Sequence, residues 1–228
     1  MTKTYFNWST GKDSALALYY LQKNKKLNID QLLTTVNATH DRVSMHGLRR
    51  SLLKKQIDCL GLPLSTIELP EQPSMKECGT LMTTKVDQLK KDGYTDCGFG
   101  DIFLENLRAY REKQLQGITC HFPLWKKDTK ALLLEFIALG FKAVVVCLNN
   151  ELLDPSFLGR KLDSTFLEDL PDNVDPCGEN GEYNTFCYDG PIFKKPVGFE
   201  LGEKVLREYK KPNSKKDKQI GFWFIDLK

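Results

Sequence analysis

Six consecutive residues, Ser9-Thr10-Gly11-Lys12-Asp13-Ser14, gather three hydroxyls, a glycine, an ammonium and a carboxylate between two apolar runs. Thr4-Tyr5-Phe6-Asn7-Trp8 precedes them and the helical-looking Ala15 to Leu21 follows, so a strand, a glycine turn and a helix start are expected. Such a turn points backbone N–H groups and the positive end of a helix at one spot, which favours a phosphate or another anion. Lys12 adds a full positive charge, and it reads as an exposed loop side chain whose loss would leave the fold intact.

Two common nucleotide signatures are excluded. A Walker-type loop needs glycine five residues before the Gly-Lys pair and Ser or Thr after the lysine; those positions are Phe6 and Asp13. Gly98-Phe99-Gly100 begins like a dinucleotide fingerprint, but Phe103 stands where its third glycine would be.

Other residues could complete a site. Asp101 follows the glycine pair and reads either as the N-cap of a helix or as a carboxylate that helps to hold magnesium. Mg²⁺ needs only one or two protein carboxylates, so Asp13 or Asp101 would suffice. His46, beside Gly47, is either a solvated loop histidine or part of a site. Glu105, Arg108 and Arg111 share a helix face; they could form surface ion pairs, or the arginines could contact an anionic acceptor. Trp125 reads as a core or interface anchor rather than a stacking platform. The segment Cys177-Gly178-Glu179-Asn180-Gly181-Glu182-Tyr183-Asn184-Thr185-Phe186 is too rich in glycine, amides and carboxylates for a helix or core strand. It reads as an acidic surface turn or as the lip of a site.

The elements that must position these residues alternate. Strands are expected at Ile29–Val36, Leu64–Leu69, Thr95–Gly100, Ile118–Phe122 and Ala143–Leu148. Helices are expected at about Leu48–Leu60 with Gly61 as C-cap, Met75–Lys91 ending at Gly93, Ile102–Gln116 and Thr129–Leu139. Continuous apolar strands between helices predict an α/β fold, a parallel sheet covered on both faces. In such a sheet ligands lie beyond the carboxyl ends of the strands, where the first turn, Asn37, the Met45-His46 loop and Asp101 all fall. Beyond Asn150 the alternation fails. A boundary is expected there, with residues 1–150 as a nucleotide domain and residues 151–228 as a small C-terminal α+β region. That region has a short helix at Ser164–Leu170 and a terminal strand at Ile220–Leu227.

At 228 residues the chain can bury a substantial core. Lys plus Arg number 33 against 30 Asp plus Glu, which gives no global charge signal for nucleic acid or membrane. The basic run from Lys210 to Lys218 reads as a solvated loop. The seven cysteines form no Cys-x-x-Cys pair and the three histidines lack metal spacing, so reduced thiols are expected, with Cys97, Cys120 and Cys147 in the core. No apolar stretch suits a membrane span or a secretory leader, and a cytoplasmic location is expected.

The first motif resembles the phosphate loop of the PP-loop ATP pyrophosphatases, whose usual form is Ser-Gly-Gly-Lys-Asp-Ser; Thr10 replaces the first glycine. Together with Met45-His46-Gly47, Gly100-Asp101-Ile102, Pro123-Leu124-Trp125 and the Gly178 to Thr185 stretch, it resembles the diphthine–ammonia ligase family over nearly the whole chain and in the same order. The resemblance implies a nucleotide-alpha-hydrolase fold with a C-terminal region closing over the site. It implies a reaction in which ATP activates a carboxylate as an acyl-adenylate with release of pyrophosphate, and ammonia or an amine then gives the amide. Ser9, Thr10, Gly11, Lys12, Asp13 and Ser14 would hold ATP, with Asn37, His46 and Asp101 around it and Asp13 and Asp101 on Mg²⁺. Lys12, Asp13, Glu179 and Glu182 would be catalytic, and Arg108, Gly178, Asn180, Gly181, Asn184 and Thr185 would line the side of the unknown carboxylate acceptor.

Two departures matter. Thr10 must adopt a conformation easier for glycine. At Asn184 the family tends to carry a carboxylate or imidazole, and asparagine is no general base. Phe103 to Arg108 resembles the bacterial branch. An RNA-modifying PP-loop enzyme and a regulatory ATP-binding module without turnover are the alternatives.

Overall fold

The computed structural model describes residues 2–24, 27–44, 46–210 and 219–228. Met45 and most of the basic run, residues 211–218, lie outside the described residues. The chain opens with strand β1 (Lys3–Asn7) and helix α1 (Lys12–Lys23), then β2 (Asn28–Asn37), the short β3 (Arg42–Val43), α2 (Arg50–Leu60), β4 (Leu64–Leu69) and α3 (Met75–Lys91). There follow β5 (Tyr94–Gly98), α4 (Glu105–Gln114), β6 (Thr119–His121), α5 (Thr129–Ala138) and β7 (Lys142–Asn149). The last part holds α6 (Ser164–Asp169), β8 (Tyr183–Asp189), β9 (Leu201–Lys210) and β10 (Gln219–Leu227).

The first sheet is parallel in the order β4-β2-β1-β5-β6, with β3 antiparallel on the far end of β2. The chain leaves β1 to build β2 and β4 on one side and returns to build β5 and β6 on the other. The strand order therefore reverses between β1 and β5, and a crevice for a ligand forms at such a point. Adjacent β1 residues point to opposite faces: Phe6 joins a core with α1 and α2, whereas Tyr5 joins a second core with Leu33, Ile67, Val86 and Leu89. Both faces are thus covered, as the unbroken apolar strands required.

One strand departs from expectation. The apolar run of β7 was expected in the parallel sheet, but β7 pairs antiparallel with both β8 and β10 in a second sheet of order β8-β7-β10-β9. Burial on both faces makes an apolar run, and it does not reveal which strands lie alongside. The expected boundary near Asn150 falls at the end of this strand, whose partners come later in the chain. The larger core runs through both sheets, from Phe6 and Leu18 to Val144, Val146 and Phe186. Strand β9 was not foreseen; its mixed charged and apolar residues, with no period of two, lie on an edge strand that is exposed. Gly61, at φ 71°, caps α2 in the left-handed conformation as its position predicted. Among the described residues, no helix is long and apolar enough to cross a membrane.

Candidate nucleotide site

The loop Ser9–Ser14 leaves the end of β1 beside the crevice. Its entry is anchored by Trp8, whose backbone N–H donates to the Leu33 carbonyl at 2.8 Å and whose indole N–H donates to Gln56 Oε1 at 2.8 Å. Thr10 then takes φ 77°, a left-handed turn that glycine would adopt without strain. Thr10 holds that conformation because it is buried and its carbonyl accepts from both Cys187 N at 2.9 Å and Gln56 Nε2 at 3.0 Å. Gly11 is the N-cap of α1 and makes no side-chain cap; the Ser14 hydroxyl instead donates to the Gly11 carbonyl at 2.9 Å. A Cβ on Gly11 would stand 3.1 Å from His46 Cε1 and from the Thr185 carbonyl oxygen. At Gly100 it would stand 2.9 Å from the backbone of Asp13 and Ser14. Gly100 is therefore demanded by close approach, whereas a side chain at Gly11 would require its neighbours to shift by a few tenths of an ångström.

Lys12 corrects the expectation of an exposed lysine. Its side chain is 4% exposed, its Nζ donates to Asp13 Oδ2 at 2.7 Å and to the Cys177 carbonyl, and it lies 5.2 Å from the centre of the Tyr183 ring. Burial works against its charge, but Asp13, Tyr183 and Cys177 outweigh that cost and the ammonium is held protonated. The sequence could not show this cover, because it comes from residues more than 160 positions away.

The cover is the glycine-rich segment before β8. Thr185 Oγ1 accepts from the Lys12 backbone N–H at 3.0 Å. His46 Nδ1 lies 3.1 Å from the Thr185 carbonyl and 3.4 Å from Thr10 Oγ1. Because a carbonyl can only accept, the ring proton sits on Nδ1 and Nε2 is bare. Burial lowers the His46 pKa from 6.5 to about 4, so the ring is neutral at pH 7. Glu179 reaches over the end of β5, its Oε1 accepting from Ile102 N at 2.8 Å. Burial raises its pKa from 4.5 to about 7; the Ile102 hydrogen bond opposes this, Asp13 adds to it, Lys12 opposes it and Asp101 adds again. Asp13, Lys12 and Asp101 are therefore all electrostatic neighbours of Glu179.

Asp101 is not a helix cap. The N-cap of α4 is Leu104, and Asp101 accepts from Arg111 Nε at 2.6 Å and Nη2 at 3.1 Å. The helix begins three residues later than its apolar spacing suggested, because Ile102 is buried and its N–H is used by Glu179.

Other expected site residues lie apart from this cluster or face inward. Asn37 donates to the Pro70 and Glu71 carbonyls and accepts from His40 N, tying the ends of β2 and β4. Glu182 is 2% exposed, and its carboxylate accepts from Asp175 N at 3.1 Å, Asn180 N at 2.9 Å and Asn180 Nδ2 at 3.1 Å. It folds its own loop. Gly178 at φ 68° and Gly181 at φ 87° make the turns of that loop. Arg108 lies 4.7 Å from both the Phe122 and the Trp125 ring centres and donates to Glu112 at 2.9 Å. Asn184, half-buried on β8, pairs across to Cys147.

Three contributors were missed. Gln56 is fully buried and links Trp8, Thr10 and Cys187. A lone amide on the apolar face Leu52, Leu53, Ile57, Leu60 was the available signal. Cys177 acts through its carbonyl and Tyr183 through its ring face, which side-chain chemistry read from sequence does not reveal. A cavity of about 370 Å³ lined by Lys55, Asp58, Cys59 and Lys195 lies elsewhere and shares no residue with the loop.

Comparison with known families agrees with this geometry. The family pattern for the diphthamide synthase N-terminal domain matches residues 2–116, and that for the diphthamide synthase C-terminal domain matches residues 128–218. A diphthine–ammonia ligase from Danio rerio is 38% identical over 88 residues, covering 36% of this chain and 34% of that protein. The Homo sapiens diphthine–ammonia ligase is 36% identical over 88 residues, covering 36% and 33%. That of Schizosaccharomyces pombe is 33% identical over 78 residues, covering 32% and 13%. The chain thus spans about a third or less of the length of these curated relatives.

Proposed function

We propose that this chain, which belongs to the diphthamide synthase family, is an ATP-dependent ligase that joins a carboxylate to ammonia or an amine with release of pyrophosphate and AMP. The observation that carries the reading is the seating of the Cys177–Thr185 segment on the phosphate loop, through Lys12 Nζ to Cys177 and Lys12 N to Thr185. It joins an anion-binding turn to a covering segment that bears a carboxylate, the two parts such a ligase needs.

On this reading ATP is a substrate. Its phosphates would meet the N–H groups at the start of α1, the Ser9 and Ser14 hydroxyls and Lys12. The acceptor carboxylate displaces pyrophosphate from the α-phosphorus, and ammonia then attacks the acyl carbon and expels AMP. Lys12 would exchange the Cys177 carbonyl for a phosphate oxygen and neutralise the charge that grows on leaving pyrophosphate. Glu179, with its pKa raised to about 7, would take the proton from ammonium, since free ammonia is the nucleophile. Bare Nε2 of His46 would accept a hydrogen bond from the nucleotide or acceptor. Among the described residues no three His, Cys, Asp or Glu side chains group as a metal cage. Magnesium belongs to the proposal as an ion carried by the triphosphate, with Asp13 and Asp101 as the carboxylates at hand. Diphthine is the acceptor that the relatives' names suggest. The bacterial resemblance of residues 103–108 would replace it with another carboxylate, in a cytoplasmic setting.

The test is a pyrophosphate and AMP assay with ATP, ammonium and candidate carboxylates. Equal amounts of pyrophosphate, AMP and amide are expected, and Lys12→Ala is expected to lower the rate by a factor of about 10² or more. ADP with inorganic phosphate would overturn the reading. Tight ATP binding without pyrophosphate in every acceptor mixture would favour the regulatory module, and a clear affinity for tRNA the RNA-modifying enzyme.

A further inference from the structure

Cys97 on β5 and Cys120 on β6 stand directly opposite each other in the first sheet, and their sulfurs are 3.5 Å apart. All seven cysteines are free thiols, and among the described residues this is the pair whose sulfurs meet. The two are not equivalent. Cys97 is fully buried between β1 and β6, whereas Cys120 is half-buried on an edge strand that pairs, among the described residues, with β5 alone. A small reagent from solvent therefore meets Cys120 first.

Two guanidinium groups lie over the aromatic rings that continue this face. Arg111 is 4.4 Å from the Phe99 ring centre and Arg108 is 4.7 Å from that of Phe122, and the two rings stack 5.2 Å apart in the same core as both cysteines. The hydrogen bond that Cys97 donates lowers the Cys120 pKa; burial and Glu112 oppose this, and Arg111 and Arg108 add to it. A thiolate beside cations is the reactive form of cysteine. Cys97 is held as the thiol by its hydrogen bond to Cys120 and by its burial.

We propose that Cys97 and Cys120 form a peroxide-sensitive dithiol, in which Cys120 is oxidised first and Cys97 then closes a disulfide between β5 and β6. Neighbouring strands lie about 4.8 Å apart, inside the Cα separations of about 4.4–6.8 Å that disulfides span. The sulfurs must close from 3.5 Å to about 2.05 Å, a movement that an edge strand of three residues can follow. The chemistry balances with one hydrogen peroxide. The Cys120 thiolate attacks a peroxide oxygen, the O–O bond breaks, and the hydroxide released is protonated to water, leaving a sulfenic acid on Cys120. The Cys97 sulfur then attacks the Cys120 sulfur. The S–S bond forms, the S–O bond breaks, and the departing hydroxide takes up the Cys97 proton. Two thiols and one peroxide thus give one disulfide and two waters.

To test this, the native chain is treated with one equivalent of hydrogen peroxide, the remaining thiols are alkylated, and unreduced peptides are read by mass spectrometry. A Cys97 peptide joined to a Cys120 peptide is expected in most of the chain, with the other five cysteines alkylated, and dithiothreitol is expected to release it. Cys97→Ala is expected to stop at a sulfenic acid on Cys120, trapped by dimedone, and Cys120→Ala to leave Cys97 a thiol; urea denaturation checks that both variants fold. A native chain in which both residues stay thiols, in which Cys120 oxidises without the link, or in which either residue joins another cysteine would overturn the proposal, whatever the variants do. Sulfenic acid on Cys97 in the Cys120→Ala chain would overturn the order of the two steps.

Discussion

Thr10 carries the left-handed backbone of the phosphate loop at a strain of about 1–2 kcal/mol for a non-glycine residue. Thr10→Gly would relieve that strain but lose a buried side chain, its methyl group worth about 0.8 kcal/mol and its hydroxyl making only a long 3.4 Å approach to His46, and add backbone entropy to the unfolded chain, about 0.5–1 kcal/mol. The terms nearly cancel. Calorimetry is expected to find ATP affinity unchanged or higher and stability within about 1 kcal/mol of native, and a severe loss of binding would contradict this account of the turn. Lys12 behaves differently because it is buried against Asp13. Lys12→Met is expected to cost about 2 kcal/mol in urea denaturation, between the values for exposed and buried pairs, since Asp13 keeps some solvent contact. Asp13→Asn in that background is expected to restore part of the loss, because it removes the carboxylate left without a partner.

Helix α2 supports the loop from beneath. Its Gln56 accepts from Trp8 and donates to two carbonyls, so one side chain fixes the entry of the loop, its left-handed turn and β8. Gln56→Leu keeps the shape but strands the indole N–H in the core. A loss of about 3 kcal/mol in chemical denaturation is expected, together with weaker ATP binding; a neutral result would show that the loop holds its conformation without α2. Strand β8 supplies the opposite wall, bonding the loop at Lys12 and at Thr10. Loop and cover therefore move as a unit or must separate to admit a ligand.

Across the whole molecule, two buried titrating groups meet in this contact and oppose each other. Glu179 has a folded pKa of about 7, above its ordinary 4.5, so its contribution to stability is full below pH 4.5 and lost as pH rises through 7. His46 has a folded pKa of about 4, below its ordinary 6.5, so its contribution is full above pH 6.5 and lost as pH falls through 4. Between about pH 4.5 and 6.5 the two slopes cancel, so the melting temperature of the native chain is expected to be nearly level there; Glu179→Gln is expected to uncover a rise with pH across that window, and His46→Asn a fall. Profiles parallel to the native one in both variants would show that neither group is perturbed as described. At the same scale Arg42 and Arg49 grip Asp226 of β10, fastening the second sheet to the first.

Local physics was legible in the residues themselves. Alternating apolar strands and helices dictated the parallel sheet, Gly61 dictated the end of α2, and the glycine turn after β1 dictated the start of α1, because each depends on neighbours a few positions away. The unusual backbone of Thr10 was expected from the resemblance, which places glycine at that position, and residues 46 and 177 positions away hold it. The tertiary structure decided what depends on distant partners. It placed β7 in the antiparallel sheet, because burial on both faces looks alike in either sheet. It buried Lys12 beneath Cys177 and Tyr183, and it turned Asp101 from a cap into the partner of Arg111. It also separated Glu179, which shares the field of Lys12 and Asp13, from Glu182, which only folds its own loop; the two carboxylates lie three positions apart and are chemically alike, and only their surroundings distinguish them.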